Sequence, residues 1–292
     1  MVYITDAKKE VRIGAMTSLR EITLSPMIRE QFPALSQAAQ DVGAYAHQVM
    51  GTLGGNLCQA NRCRYYNQSA FWRSVRPPCY KRGGHVCYVV PGHQAQGSKA
   101  VQCHSTYCGD IAPALIALDA KVSLMGPEGD RKIPAKKLYT YDGKKPLALK
   151  KGEILKEILL PFPSSKSRYL KIRRRDTIEF PVVSLAVRLD LGDDGRITKT
   201  RVVLSGVGPG PVEAVETEKI LKEAHLDETI IENASRRVTK EISPVRTSTA
   251  SPAYQRKMAG VLLKQALEEM TNLVGSGRSG HPLPTERLVP TR

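Results

Sequence analysis

Six cysteines fall between Cys58 and Cys108, a window of 51 residues, and the other 241 residues contain none. Thiols placed for packing alone would scatter, so this clustering points to one shared site. Four of them stand in an ordered series, Cys63, Cys79, Cys87 and Cys103, with 15, 7 and 15 residues between neighbours. Four thiolates can close a tetrahedral shell around zinc or hold the four corners of an iron–sulfur cluster. Zinc sites usually draw on short Cys-x2–4-Cys pairs. This series has none, so each ligand arrives on its own stretch of loop, which leans toward a cluster. Cys58 and Cys108 flank the series as substitutes or as small buried thiols. His85, His93 and His104 read as loop histidines. Residues 57–108 show little periodicity and many Gly, Pro and Arg, and a loop of that length needs something internal to hold it.

At 292 residues the chain has room for one large domain or two ordinary ones, and 41% hydrophobic with 25% charged residues is a globular composition. No apolar run of 18 residues exists, and the start lacks the apolar core of a signal peptide. These features place the chain in the cytosol, with no membrane span, where reduced thiols favour metal over disulfides. The formal charge of +16 raises the question of nucleic acid. The basic residues are spread out, however, with short concentrations at Lys144–Lys151 and Lys171–Arg175, and aromatic residues make up only 5% of the chain. That is a poor base-stacking platform. A basic subunit surface meeting an acidic partner is the reading preferred, and nucleic acid is not expected.

Along the chain, Val11 and Ile13 alternate with polar residues and lead into GAMTSLREI, a strand entering a helix with Thr17 or Ser18 at its cap and Glu21 in its first turn. Residues 34–50 predict one helix ending before Gly51. After the cysteine segment, Ala112–Leu118 suits a buried helix and Lys121–Met125 a strand. The segment 153–160 runs into Pro161 and Pro163, and the stretch 161–167 predicts a domain boundary. Val182–Leu191 and Arg196–Gly208, joined by a GDDG turn, predict a hairpin. Helices follow near 212–224, 227–241 and 253–272, the last with Met258, Val261, Leu262, Ala266 and Met270 on one apolar face. Residues 274–292 predict a disordered tail.

GTLGGN, Gly51–Asn56, is either a structural turn using positive φ angles or a ligand loop. In the second case its amides face phosphate oxygens, and Thr52 and Asn56 add side-chain hydrogen bonds. Asp110 reads as a cap for the helix that follows it, and Lys171 as an ordinary solvated lysine unless it serves the same ligand.

Taken together, VRIGAMTSL (11–19), GTLGGNL (51–57), DIAPALIALDAKV (110–122), GEILKEILLP (152–161), YLKIRRR (169–175) and TSTASPAYQRKMAGVLLKQAL (247–267) resemble the flavin-binding subunit of the xanthine dehydrogenase and molybdenum hydroxylase family. The segment 56–73 is similar to the β subunit of 4-hydroxybenzoyl-CoA reductase, which carries a [4Fe–4S] cluster in an extra loop. The resemblance implies an α+β fold. Residues 1–163 would be a partial PCMH-type FAD-binding domain with the cluster insert at about 57–108, and residues 168–272 a small sheet-plus-helices domain of the CO dehydrogenase flavoprotein type. It implies FAD contacts from Thr52, Leu53, Gly54, Gly55, Asn56, Asp110 and Lys171, and cluster ligands Cys63, Cys79, Cys87 and Cys103, with Cys108 the replacement for Cys103. Family members begin with a further flavin subdomain bearing an AGGTDL-type loop. Nothing before Val11 can serve as that loop, so half of the expected FAD site is absent from this chain.

The function so implied is electron transfer between FAD, [4Fe–4S] and the centres of partners: a large molybdopterin subunit, a small [2Fe–2S] subunit and, in the aryl-CoA reductase branch, ferredoxin. The competing class is a zinc-stabilised basic protein binding nucleic acid.

Overall fold

The computed structural model describes residues 1–90, 102–162, 165–176 and 178–275. Strands β1 (Ile4–Asp6) and β2 (Glu10–Gly14) form a hairpin that leads into helices α1 (Leu19–Leu24), α2 (Pro26–Gln31), α3 (Pro33–Gln40), α4 (Tyr45–Met50) and α5 (Leu53–Leu57). Helix α6 (Ala70–Ser74) lies in the cysteine insert, and α7 (Ile111–Ala117) follows it. Strands β3 (Lys121–Gly126), β4 (Gly129–Pro134) and β5 (Ile154–Pro161) complete a five-stranded antiparallel sheet in the order β1-β2-β5-β3-β4. A second antiparallel sheet takes β6 (Ser165–Ile172), β7 (Val183–Leu191), β8 (Ile197–Ser205) and β9 (Val212–Glu213) in sequence order. Helices α8 (Val215–Leu221), α9 (Glu228–Glu241) and α10 (Pro252–Gly275) complete the described residues. The fold is α+β, as expected. No helix among the described residues is long and apolar enough to cross a membrane.

Period-two patterning builds the first sheet: Val11 and Ile13 are fully buried and pair with Leu160 and Ile158. Ser18 begins α1 with a reciprocal capping box, its Oγ accepting from Glu21 N while Glu21 Oε2 accepts from Ser18 N. The predicted single helix over 34–50 is corrected to two. Gly43 has φ +56°, and the Gln48 side chain donates to the carbonyls of Gln40 and Val42, which holds the break.

Helix α7 is apolar on every side because it is covered on every side. Ile111 to Ala117 are all buried, packed against α3 and α5 and against β7 and β8 of the second sheet. The second sheet therefore has two cores. Tyr169, Ala186 and Val203 lie in one cross-strand row facing α7, whereas Leu170, Leu185 and Leu204 lie in the next row facing the C-terminal helices.

Asp119, just past α7 in a left-handed conformation, fixes the joint electrostatically. Its carboxylate meets Arg188 Nη1 at 2.8 Å, Lys199 Nζ at 2.6 Å and Arg201 Nε at 3.5 Å. Burial would raise the Asp119 carboxyl, but Lys199, Arg188 and Arg201 outweigh it and hold the group below its ordinary value.

Two further expectations change. On α10, Leu262, Ala266 and Met270 are buried, but Val261 is exposed and does not belong to the buried face. The helix runs through Gly275, so 274–275 are helical, and the rest of the predicted tail lies outside the described residues.

Candidate functional site

The GTLGGN segment folds as a short helix start rather than a positive-φ turn. Thr52 is the N-cap of α5, its Oγ1 accepting from Gly55 N at 3.1 Å. Leu53 N donates to Thr17 O, Gly54 N to Ala15 O and Asn56 N to Thr52 O. The amides of residues 53–56 are therefore already engaged, which revises their reading as a free phosphate cradle. The donors left to meet a ligand here are the Thr52 amide and hydroxyl hydrogens and the Asn56 amide nitrogen. Glycine is needed at 54 for packing, since a Cβ there would lie 3.0 Å from both Ala15 Cβ and Ala15 O. Gly55 is exposed, while Leu53 is fully buried and offers only backbone.

Asn56 Oδ1 accepts from Ile111 N at 3.2 Å, so it is Asn56 that caps α7. Asp110 stands at the N-cap position but makes no capping bond. Its carboxylate instead accepts from Tyr169 Oη at 2.5 Å and from Lys171 Nζ at 3.1 Å. The expectation of a capping Asp110 and a solvated Lys171 is thus corrected: the Lys171 side chain is 0% exposed and that of Asp110 is 5%. Lys171 Nζ also donates to Asp41 O at 3.0 Å. Burial drives the Asp110 carboxyl upward against the pull of Lys171 and Tyr169, and does the same to Asp41 against Arg173 and Lys171. Two buried tyrosines complete the strip. Tyr107 and Tyr139 hydroxyls meet at 3.1 Å and both donate to Leu57 O, at 3.3 and 3.2 Å. Sequence reasoning missed Tyr169, Tyr107 and Tyr139, because a strand or loop tyrosine carries no spacing signature.

The insert is fastened at its neck. Arg62 and Thr106 exchange backbone bonds of 2.7 and 2.8 Å, and buried Asn61 donates to Ser105 O and Pro209 O, both at 2.8 Å. Tyr107 N donates to Gly208 O and Gly206 N to Tyr107 O, which ties this neck to the end of β8.

Within the insert, Cys63, Cys79, Cys87 and Cys103 line one pocket together with tyrosines, Lys81, two valines and Ser105. Cys79 begins a tight turn in which Gly84 N donates to Cys79 O. A Cβ on Gly84 would lie 1.7 Å from Pro78 O, so only glycine fits there. Cys103 is held from outside the insert, its N donating to Asp142 Oδ1 at 3.1 Å. Burial pushes the Cys63 thiol up while the amides of Tyr65 and Tyr66 pull it down. Cys108 lines a neighbouring groove with His104 and is absent from the lining of the cysteine pocket. Burial pushes Cys58 to about 11 and Cys108 to about 12, the behaviour of inert thiols. His85 is exposed, and His93 lies outside the described residues.

Among the described residues, no three His, Cys, Asp or Glu side chains are placed to hold a single metal ion.

Residues 1–163 match the family model of the FAD-binding domain in molybdopterin dehydrogenase, and residues 168–270 that of the CO dehydrogenase flavoprotein C-terminal domain. The aldehyde oxidoreductase FAD-binding subunit PaoB of Escherichia coli is 31% identical over 228 residues, covering 74% of this chain and 68% of that protein. The carbon monoxide dehydrogenase medium chain of Afipia carboxidovorans is 24% identical over 270 residues, 92% of this chain and 77% of its own. Among solved structures, cyanide-inactivated Cu,Mo-CO dehydrogenase superposes with a TM-score of 0.70 at 23% identity, covering 91% of this chain and 77% of that one. Quinoline 2-oxidoreductase from Pseudomonas putida 86 gives 0.69 at 17% identity, covering 92% and 78%.

Proposed function

This chain belongs to the family of FAD-binding medium subunits of molybdopterin-dependent dehydrogenases, and from that premise we propose that it is the FAD and [4Fe–4S] electron-transfer subunit of a complex of the 4-hydroxybenzoyl-CoA reductase kind. The observation that carries the proposal is the convergence of Cys63, Cys79, Cys87 and Cys103, far apart in sequence, on one pocket. Bound FAD and cluster would supply one- and two-electron redox chemistry, which the protein tunes and orients.

For FAD, the Thr52 amide and hydroxyl and the Asn56 amide nitrogen are the polar groups offered at α5. Gly55 leaves the backbone open to close approach, and Leu53 and Gly54 hold that backbone against Ala15 and Thr17. Lys171 and Asp110 present one buried charge pair beside the same helix. For the cluster, the four cysteines are the ligands, and Cys58 and Cys108 are bystanders. The partners are a large molybdopterin subunit and a small [2Fe–2S] subunit, with a ferredoxin-type carrier exchanging electrons at the basic insert. The catalytic residues lie in the partners.

Anaerobically purified protein is expected to contain about four iron and four sulfide per chain. Cys79→Ser or Cys87→Ser should release the iron, and Cys58→Ser should retain it. Stoichiometric zinc without iron would overturn the cluster assignment.

A further inference from the structure

Four of the residues walling the cysteine pocket are tyrosines: Tyr65, Tyr66, Tyr80 and Tyr88. A cation lies over every one of these rings. Arg64 and Arg76 stand 5.4 and 5.2 Å from the centroid of Tyr65, and Arg73 and Lys81 stand 5.8 and 4.7 Å from that of Tyr66. Lys144 stands 4.3 Å from Tyr80, and Arg76 reaches Tyr88 as well at 6.0 Å. Such contacts hold a cation in place against a ring face.

The sequence has a matching asymmetry. The 68 residues between Asp41 and Asp110 include seven Lys or Arg and no carboxylate. One acid does reach the cysteines from outside this stretch, since Asp142 accepts from Cys103 N, and Asp142 also accepts from Lys144 N at 3.0 Å. Five cations, Arg64, Arg73, Arg76, Lys81 and Lys144, stand over the tyrosines of this wall.

A solvated basic face would be unremarkable on ordinary surface. Here its cations cap the rings that wall the pocket of four thiols, and Lys81 lines that pocket itself. A cluster bound by four thiolates becomes more negative on reduction, and its potential depends on the charge around it. Nearby cations therefore favour the reduced form. Resting on the four-cysteine reading above, we infer that the cation-capped tyrosines form a tuning shell that raises the cluster's reduction potential, with Arg76 and Lys144 as positioning residues of that shell. Arg73 and Lys81 have a second role, donating to Tyr66 O and Asn61 O, both at 3.4 Å, so they are less clean probes.

The test is a redox titration of the iron-loaded chain with dithionite and mediator dyes, followed by electron paramagnetic resonance. Arg76→Gln and Lys144→Gln should each move the midpoint downward, and the double variant further. At an effective dielectric of about 20, a unit charge roughly 12 Å away changes the reduced-to-oxidised ratio about tenfold, which is about 59 mV for one electron. Lys144→Arg should restore the wild-type midpoint. Tyr80→Phe, which keeps the ring, and Lys257→Gln on the exposed side of α10 should leave it in place. Lys144 lies outside the insert, so its variant carries the test even if Arg76→Gln releases iron. An unchanged midpoint in iron-replete Lys144→Gln overturns the tuning shell and leaves the cluster assignment standing. A wild-type chain that takes up no iron overturns both.

Discussion

Replacing Lys171 by methionine keeps the aliphatic stem but strands Asp110 without its cation. The pair is closed to water, with side-chain exposures of 0% and 5%, and removing one member of such a pair costs about 3–5 kcal/mol. Asp110 has an escape, because burial already raises its carboxyl and it can take up a proton. Keeping it neutral in the fold costs at most the free energy of protonating an ordinary aspartate. That is about 1.36 kcal/mol per pH unit above roughly 3.9, or about 4 kcal/mol at pH 7 and about 1.5 at pH 5. The sign follows: a carboxyl whose folded pKa is raised binds protons more tightly folded than unfolded, so the variant regains stability as pH falls. Urea denaturation of wild type and Lys171→Met, followed by far-UV circular dichroism at both pH values, measures the two penalties. A penalty below about 1 kcal/mol, the worth of an exposed pair, or one equal at both pH values, would refute a buried Lys171–Asp110 couple.

The joint between α7 and the second sheet has the opposite pH sign. Because Asp119 is held below its ordinary value by Lys199, Arg188 and Arg201, its contribution is present above the unfolded carboxylate range and is lost as pH falls through the depressed folded value. Asp119→Asn should therefore lower the thermal midpoint at neutral pH and lose its effect in acid, as differential scanning calorimetry across that range would register. In the insert, Gly84→Ala should release iron as Cys79→Ser does, although no ligand changes, because the new Cβ meets Pro78 O and forces the Cys79 turn open. Full iron content in Gly84→Ala would show that this turn does not position Cys79.

Much of this protein was legible along the chain. Alternation of Val11 and Ile13 marks a half-buried strand, the spacing of Ser18 and Glu21 marks a cap, and the turn at Gly192–Gly195 marks the hairpin of β7 and β8, all through interactions between near neighbours. The clustering of Cys63, Cys79, Cys87 and Cys103 is likewise visible without coordinates. What only the tertiary structure decided are the pairings of distant residues. The cap of α7 comes from Asn56, 55 positions away, rather than from adjacent Asp110. Asp110 in turn is claimed by Tyr169 and Lys171, 59 and 61 positions on, because β6 lies against the end of α7. The break at Gly43 escaped a periodicity argument since both halves keep helical spacing, and only the backbone angle at one glycine separates them. The cations over the tyrosines that wall the cysteine pocket include Lys144 from a different loop, so no local pattern contains the set. Local propensity and patterning act over a few residues, whereas burial chooses partners by proximity in space, and that choice exists only once the chain has folded.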